Sequence, residues 1–337
     1  MNDSASAGLP HDPVPPLVRS AASHPVLDAE TQQFLDLAAE AGLPAERLIE
    51  WANGGANGGA NGDTALATPF ESVVLQASPA SPAFAIRIVR PPQATPTPLP
   101  AVLYLPGSGW SAASRASYER LALRLATEAE AAVALVEYTS APVARFPIQI
   151  EQAFAALLHL DEHARALNLN AAALAVAGEG AGGHLAAALA LLAKARRGPH
   201  LALQILLCPI LSASAQSASA ARYADGPGLT ARALRMFVQT RFPVESLGDK
   251  FAMPLNANIA DLEDLPPALI VTAENDVARD DAESYARKLM LAGVRVSALR
   301  CLGTIHDFTV LDGLSGTPPT EAALRLACDT IRATLRR

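Results

Sequence analysis

The stretch Ala173-Leu174-Ala175-Val176-Ala177-Gly178-Glu179-Gly180-Ala181-Gly182-Gly183-His184-Leu185-Ala186 decides the fold. Its first five residues are uniformly apolar, as in a strand buried on both faces. Glycines 178, 180, 182 and 183 then interrupt the run, and an Ala/Leu-rich pattern predicts a helix over Ala181–Arg197. Strand, small-residue turn and helix in direct succession demand a close approach of backbones, which small side chains permit. The central residue, Gly180, sits at the head of the helix, where the turn requires a backbone angle that a side chain would resist. It carries no hydroxyl.

Outward from this turn the chain alternates strand and helix. Predicted strands are Ser72–Gln76, Phe84–Val89, Ala101–Leu105, Ala132–Tyr138, Ala173–Ala177, Ala202–Leu207, Ala268–Thr272 and Val294–Arg300. Helical patterns fall at Tyr118–Glu128, Ile148–Leu167, Ala181–Arg197, Thr230–Thr240, Asp281–Ala292 and Thr320–Arg336. The first two strands are adjacent and predict an antiparallel hairpin. The rest predict a mostly parallel α/β sheet with helices on both faces. In such sheets the site lies beyond the carboxyl ends of the strands. A dinucleotide-binding reading of the glycines requires the first βα unit, and this turn follows the fifth strand.

The 337 residues carry 26 basic and 33 acidic groups, a formal charge of −7. Half the chain is apolar and 18% is charged, which excludes a disordered protein. Net acidity without a run of like charges argues against a nucleic-acid partner. Cys208, Cys301 and Cys328 are odd in number and widely spaced, so neither a disulfide framework nor a CxxC metal site is expected. No cofactor or metal is expected either. No stretch reads as a signal peptide or a membrane span, so the expected location is cytoplasmic, without membrane association. Residues 1–26 are Pro- and Ser-rich and expected to be disordered. An N-terminal helical pattern and the Asn/Gly linker Asn53–Asp63 occupy 27–67, and the α/β domain spans 68–337.

Two further loops belong with the turn. Ala268–Asp276 is a strand that ends in an acid just before a helix, and Val294–Phe308 is the last strand, ending Gly303-Thr304-Ile305-His306-Asp307-Phe308. Turn, acid and histidine thus follow the fifth, seventh and eighth strands, in that order.

These residues are similar to the motifs of hormone-sensitive-lipase-like carboxylesterases. Pro106-Gly107-Ser108-Gly109-Trp110 resembles that family's H-G-G-G-W, and Tyr138-Thr139-Ser140-Ala141-Pro142-Val143-Ala144-Arg145-Phe146-Pro147 its Y-R-L-A-P-E-x-x-F-P. Gly178–Ala186 resembles G-D-S-A-G-G-N-L-A, and Ile305-His306-Asp307-Phe308 resembles I-H-G-F. The resemblance implies an α/β-hydrolase fold with an eight-stranded sheet and a helical cap made of the N-terminal helix and residues 212–245. It places Asp276 and His306 in a catalytic triad, and Gly180 at the position of the missing nucleophilic serine. It assigns the oxyanion hole to the backbone N–H groups of Ser108, Gly109 and Ala181. Pro106 and Glu179 are further departures, standing for a His and an Asp.

Without a hydroxyl the acyl-enzyme route is closed. The reading drawn is non-hydrolytic base catalysis by His306 and Asp276, leading to elimination, dehydration or cyclisation of a carbonyl-containing small molecule. The alternatives are a catalytically dead ligand-binding pseudo-esterase and a slow ester hydrolase using His306-activated water. The expected partner is a small carbonyl or ester-like molecule, with a homodimer possible. Ser108 has no assigned base, Cys208 reads as core, Glu179 as packing of the turn and His184 as structural.

Overall fold

The computed structural model describes residues 25–43, 48, 70–78, 81–93, 96–107 and 115–336. The segment expected to be disordered lies outside these residues apart from 25 and 26, and the linker 53–63 lies wholly outside.

Eight strands form one sheet: β1 (Glu71–Leu75), β2 (Phe84–Val89), β3 (Leu99–Leu105), β4 (Ala132–Glu137), β5 (Leu169–Glu179), β6 (Leu203–Leu207), β7 (Ala268–Asn275) and β8 (Val296–Ile305). Their order is β1-β2-β4-β3-β5-β6-β7-β8. β1 and β2 form the expected antiparallel hairpin, β2 pairs antiparallel with β4, and all later pairs are parallel. This is the α/β-hydrolase sheet.

Helices α1 (Ala29–Glu40), α2 (Arg115–Ala129) and α9 (Pro318–Leu335) cover one face. The other face carries α3 (Ile148–Glu162), α4 (Ala181–Ala195), α5 (Ala218–Arg222), α6 (Ala231–Arg241), α7 (Ile259–Leu262) and α8 (Arg279–Leu291). The strands divide their side chains between the two cores with period two. In β3, Ala101, Leu103 and Leu105 join one core, while Val102 and Tyr104 join the other. Residues 181–193 of α4 are all buried, which explains why that helix is apolar all round.

Two strand ends differ most from expectation. β5 begins at Leu169, because its first turn of chain alternates a buried Leu169 with an exposed Asn170 and so lacks the apolar run that marks its centre. β8 runs on to Ile305, although much of it is exposed, because it is the sheet's edge and half its residues need no apolar cover. α1 is capped by Asp28, whose Oδ1 accepts from the Thr31 N–H at 2.9 Å, and the Asp28 N–H donates to the Gly303 carbonyl at 3.1 Å. Within 212–245, Tyr223, Leu234, Val238 and Phe242 are buried, whereas Met236 is exposed. Among the described residues no helix is long and apolar enough to cross a membrane.

The junction of β3, β5 and α4 is the tightest point of the fold. A Cβ on Gly178 would overlap the Gly182 carbonyl, and one on Gly182 would overlap the Leu105 carbonyl. These are backbone contacts and cannot turn aside. Gly182→Ala should therefore destabilise the protein by about 3 kcal/mol or more, read by denaturant unfolding. Gly248→Ala, where a Cβ meets nothing, should change stability by less than about 1 kcal/mol.

Candidate active site

Gly180 links β5 to α4 with φ +51 and ψ −115, in the left-handed half of backbone space. Three backbone bonds hold the turn: its N–H donates to the Leu207 carbonyl at 2.9 Å, and its carbonyl accepts from His184 and Ile210, each at 3.1 Å. Ala181 opens α4 and is buried, and its amide is one of the four that a helix start leaves without an intrahelical acceptor. Ser108 and Gly109, the other expected oxyanion donors, lie outside the described residues.

Asp276 follows β7 and His306 follows β8, so adjacent parallel strands deliver both to one edge. His306 Nδ1 donates to Asp276 Oδ2 at 2.8 Å, and Asp276 Oδ1 accepts from the Ala278 N–H at 2.9 Å. Both side chains are buried. With Nδ1 committed, Nε2 faces the opposite way. There it meets a second carboxylate, Asp307 Oδ1, at 3.4 Å.

Asp307 was not singled out by the sequence. Its φ of +58 is a left-handed angle that Asp tolerates better than most residues. Its carboxylate reaches over the turn: a Cβ on Gly180 would lie 2.7 and 2.8 Å from its two oxygens. A side chain at Gly180 and the carboxylate of Asp307 thus compete for the same space. Asp307 Oδ1 has no hydrogen-bond partner.

Electrostatics follow from this geometry. Burial alone would lower the His306 pKa, but Asp276 and Asp307 together outweigh it and raise it to about 9. Burial raises Asp307 to about 6, with the attraction of His306 opposing and Asp276 adding to the rise. Glu179 is lifted to about 8, chiefly by burial and then by Asp307. Its Oε1 accepts from the Gly107 N–H at 2.5 Å and its other oxygen from the Tyr104 hydroxyl, so it ties the turn to the chain leaving β3. The Tyr138 hydroxyl donates to the Pro106 carbonyl in the same region.

Two other candidates have structural surroundings. His184 Nε2 donates to the Ala252 carbonyl at 2.6 Å, and burial lowers its pKa to about 4. Burial pushes the Cys208 thiol well up, which keeps it protonated. Among the described residues no cluster of His, Cys, Asp and Glu has the geometry of a metal site.

The family model for the alpha/beta hydrolase fold matches residues 102–310. The chain belongs to this family. A putative alpha/beta hydrolase of Acanthamoeba polyphaga mimivirus is 35% identical over 235 residues, covering 69% of this chain and 68% of that protein. Carboxylesterase NlhH of Mycobacterium tuberculosis is 37% identical over 225 residues, 66% of this chain and 70% of its own. Among solved structures, a thermostable esterase from Pseudomonas putida ECU1011 superposes with a TM-score of 0.86 at 33% identity, covering 93% of this chain and 99% of that one. The alpha/beta hydrolase of this chain resembles carboxylesterases in sequence and in fold.

The titration of His306 checks the site's charge. A pKa raised in the folded state contributes stability that is complete below the unfolded value near 6.5 and is lost as pH rises through about 9. The His306 ring should titrate near 9 by NMR, and Asp307→Asn should move that midpoint down by removing one of the two carboxylates. An unchanged midpoint would place the Asp307 charge away from the ring.

Proposed function

We propose that this site performs acid–base chemistry on a carbonyl-containing small molecule without an acyl-enzyme, with elimination, dehydration or ring closure as its reaction class. One juxtaposition carries the reading. An imidazole lies between two carboxylates, over a turn that has no hydroxyl. Asp276 holds the ring by Nδ1 and leaves Nε2 directed at the space above Gly180.

The charge state divides the labour differently from a simple histidine base. Between pH about 6 and about 9, Asp307 is ionised and His306 keeps its proton. Asp307 is then the base and His306 the acid. In a dehydration, Asp307 takes the proton from the carbon beside the carbonyl, and that C–H pair becomes the new C=C bond. The C–O bond at the next carbon breaks, and His306 protonates the departing oxygen, so water leaves. The Ala181 N–H, at the head of α4, is suited to the negative charge that develops on the carbonyl oxygen.

A β-hydroxy ketone tests this directly. Incubation with 4-hydroxy-2-butanone in deuterated water, followed by NMR, should show protein-dependent deuterium uptake beside the carbonyl and loss of water. The rate should be flat between pH about 6 and about 9 and fall on both sides. His306→Gln and Asp307→Asn should each lower it about 100-fold or more. A stoichiometric burst of nitrophenol from p-nitrophenyl acetate would overturn the proposal by revealing an acyl-enzyme.

The shared space above Gly180 yields a second test. Gly180→Ser alone should give little aryl-esterase activity, because Asp307 holds the volume the new side chain needs. Gly180→Ser with Asp307→Gly frees that volume and should exceed the single variant about tenfold or more, in initial rates on p-nitrophenyl acetate.

A further inference from the structure

Arg241 is the last residue of α6, and only 7% of it is exposed. Its Nε is buried and has no hydrogen-bond partner. Other arginines are answered by acids: Arg87 by Glu119, Arg124 by Glu321, Arg279 by Asp280. Among the described residues no carboxylate answers Arg241. The Phe237 ring lies 5.9 Å from its guanidinium, and its position at the end of a helix suits a cation. Both effects are small beside the desolvation of an unpaired charge, and burial draws its pKa down.

Its place in the fold is informative. The Arg241 carbonyl accepts from the Phe146 N–H at 2.9 Å. Arg145 donates to the Gln239 and Phe242 carbonyls at 3.1 and 3.0 Å. These bonds fasten the end of α6 to the loop that follows β4. Tyr138, the first residue after β4, lies within electrostatic reach of Arg241 but stays neutral, and its hydroxyl donates to the Pro106 carbonyl after β3. Arg241, with no carboxylate partner among the described residues, therefore stands near the carboxyl ends of β3 and β4, on the edge that also bears His306. Buried polar groups without partners call for a missing one.

We infer that Arg241 binds an anionic group on the ligand of this site, and that the group is a carboxylate on an otherwise apolar molecule. A single planar guanidinium matches a carboxylate with two parallel N–H···O bonds. One positive charge balances one negative charge, and Phe237 borders the guanidinium with apolar surface. That the same molecule presents its carbonyl to His306 rests on the proposed function. Anion binding at Arg241 does not.

Thermal unfolding with phenylacetate and its neutral counterpart phenylacetamide tests the inference on the full chain. At about tenfold its Kd, phenylacetate should raise the midpoint by about 2 °C, and phenylacetamide should leave it unchanged. Arg241→Met should abolish the phenylacetate shift while unfolding no earlier than the parent without ligand, since it removes an unpaired buried charge. Arg241→Lys keeps the charge without the fork and should retain part of the shift, which covers the case of a poorly folded Met variant. His306→Gln should retain the whole shift. Carboxylate binding without proton transfer would thus discard the catalytic proposal and leave this one standing. Equal shifts from the two probes, a phenylacetate shift that survives Arg241→Met, or no response of the parent to millimolar phenylacetate or hexanoate would overturn it.

Discussion

Everything at the carboxyl edge of the sheet depends on how closely α4 approaches the end of β3. The Leu105 carbonyl occupies the place where a side chain on Gly182 would begin, and the Gly182 carbonyl does the same to Gly178. The chain can leave β5 and enter a helix at once only because those three backbones touch. That contact sets the direction of Gly180 and brings the first amide of α4 to the sheet edge. It also seats Glu179 against Gly107, at the origin of the loop after β3. The parallel pairing of β7 and β8 then delivers Asp276 and His306 to the same edge. Packing at native density turns a sequence of small residues into a defined position for chemistry.

The second constraint is charge. Asp276, His306, Asp307 and Glu179 are all buried. Four isolated ionised groups would be prohibitive in so dry a place. The cluster avoids this by sharing. His306 keeps its proton and lies between two carboxylates, while Glu179 holds its proton to about pH 8. Removing one partner from such an arrangement strands the others, which typically costs about 3–5 kcal/mol. The imidazole's charge is therefore a structural property as much as a chemical one. A reading that treats His306 as a free base overlooks the second carboxylate.

How far this was legible in the sequence depends on the range of the interaction. The strand–turn–helix at Ala173–Ala186 and the βα alternation are local patterns, and they identify the sheet and its order of elements. Asp276 and His306 were legible because chain order and strand ends bring them together without any knowledge of packing. Asp307 was visible only as a Gly-to-Asp departure beside His306. Its importance arises from a left-handed φ that turns its carboxylate over a turn 127 residues earlier in the chain. Arg241 left no signal at all. It ends an amphipathic helix, as many arginines do, and what sets it apart is burial without a carboxylate partner among the described residues, a property of three-dimensional neighbours alone.

That the Asp307 carboxylate holds the space a side chain at Gly180 would need has a chemical consequence. A serine in that space would take an acyl group as an ester, comparable in energy to the substrate ester, so that transfer is nearly balanced. A carboxylate taking the same acyl group would form an anhydride, far more reactive than the ester it came from, and the step would run uphill. The reverse holds for protons. A carboxylate held near pKa 6, beside an imidazolium held near 9, is in the protonation states a general base and a general acid need at neutral pH, whereas a serine hydroxyl there is neither. On the proposed function the same scaffold would therefore favour acyl transfer with one occupant of the space above Gly180 and proton transfer with the other. On the proposed function, Asp307 in that space would select the chemistry through the identity of a single neighbour, with the sheet, the turn and the Asp276–His306 pair kept.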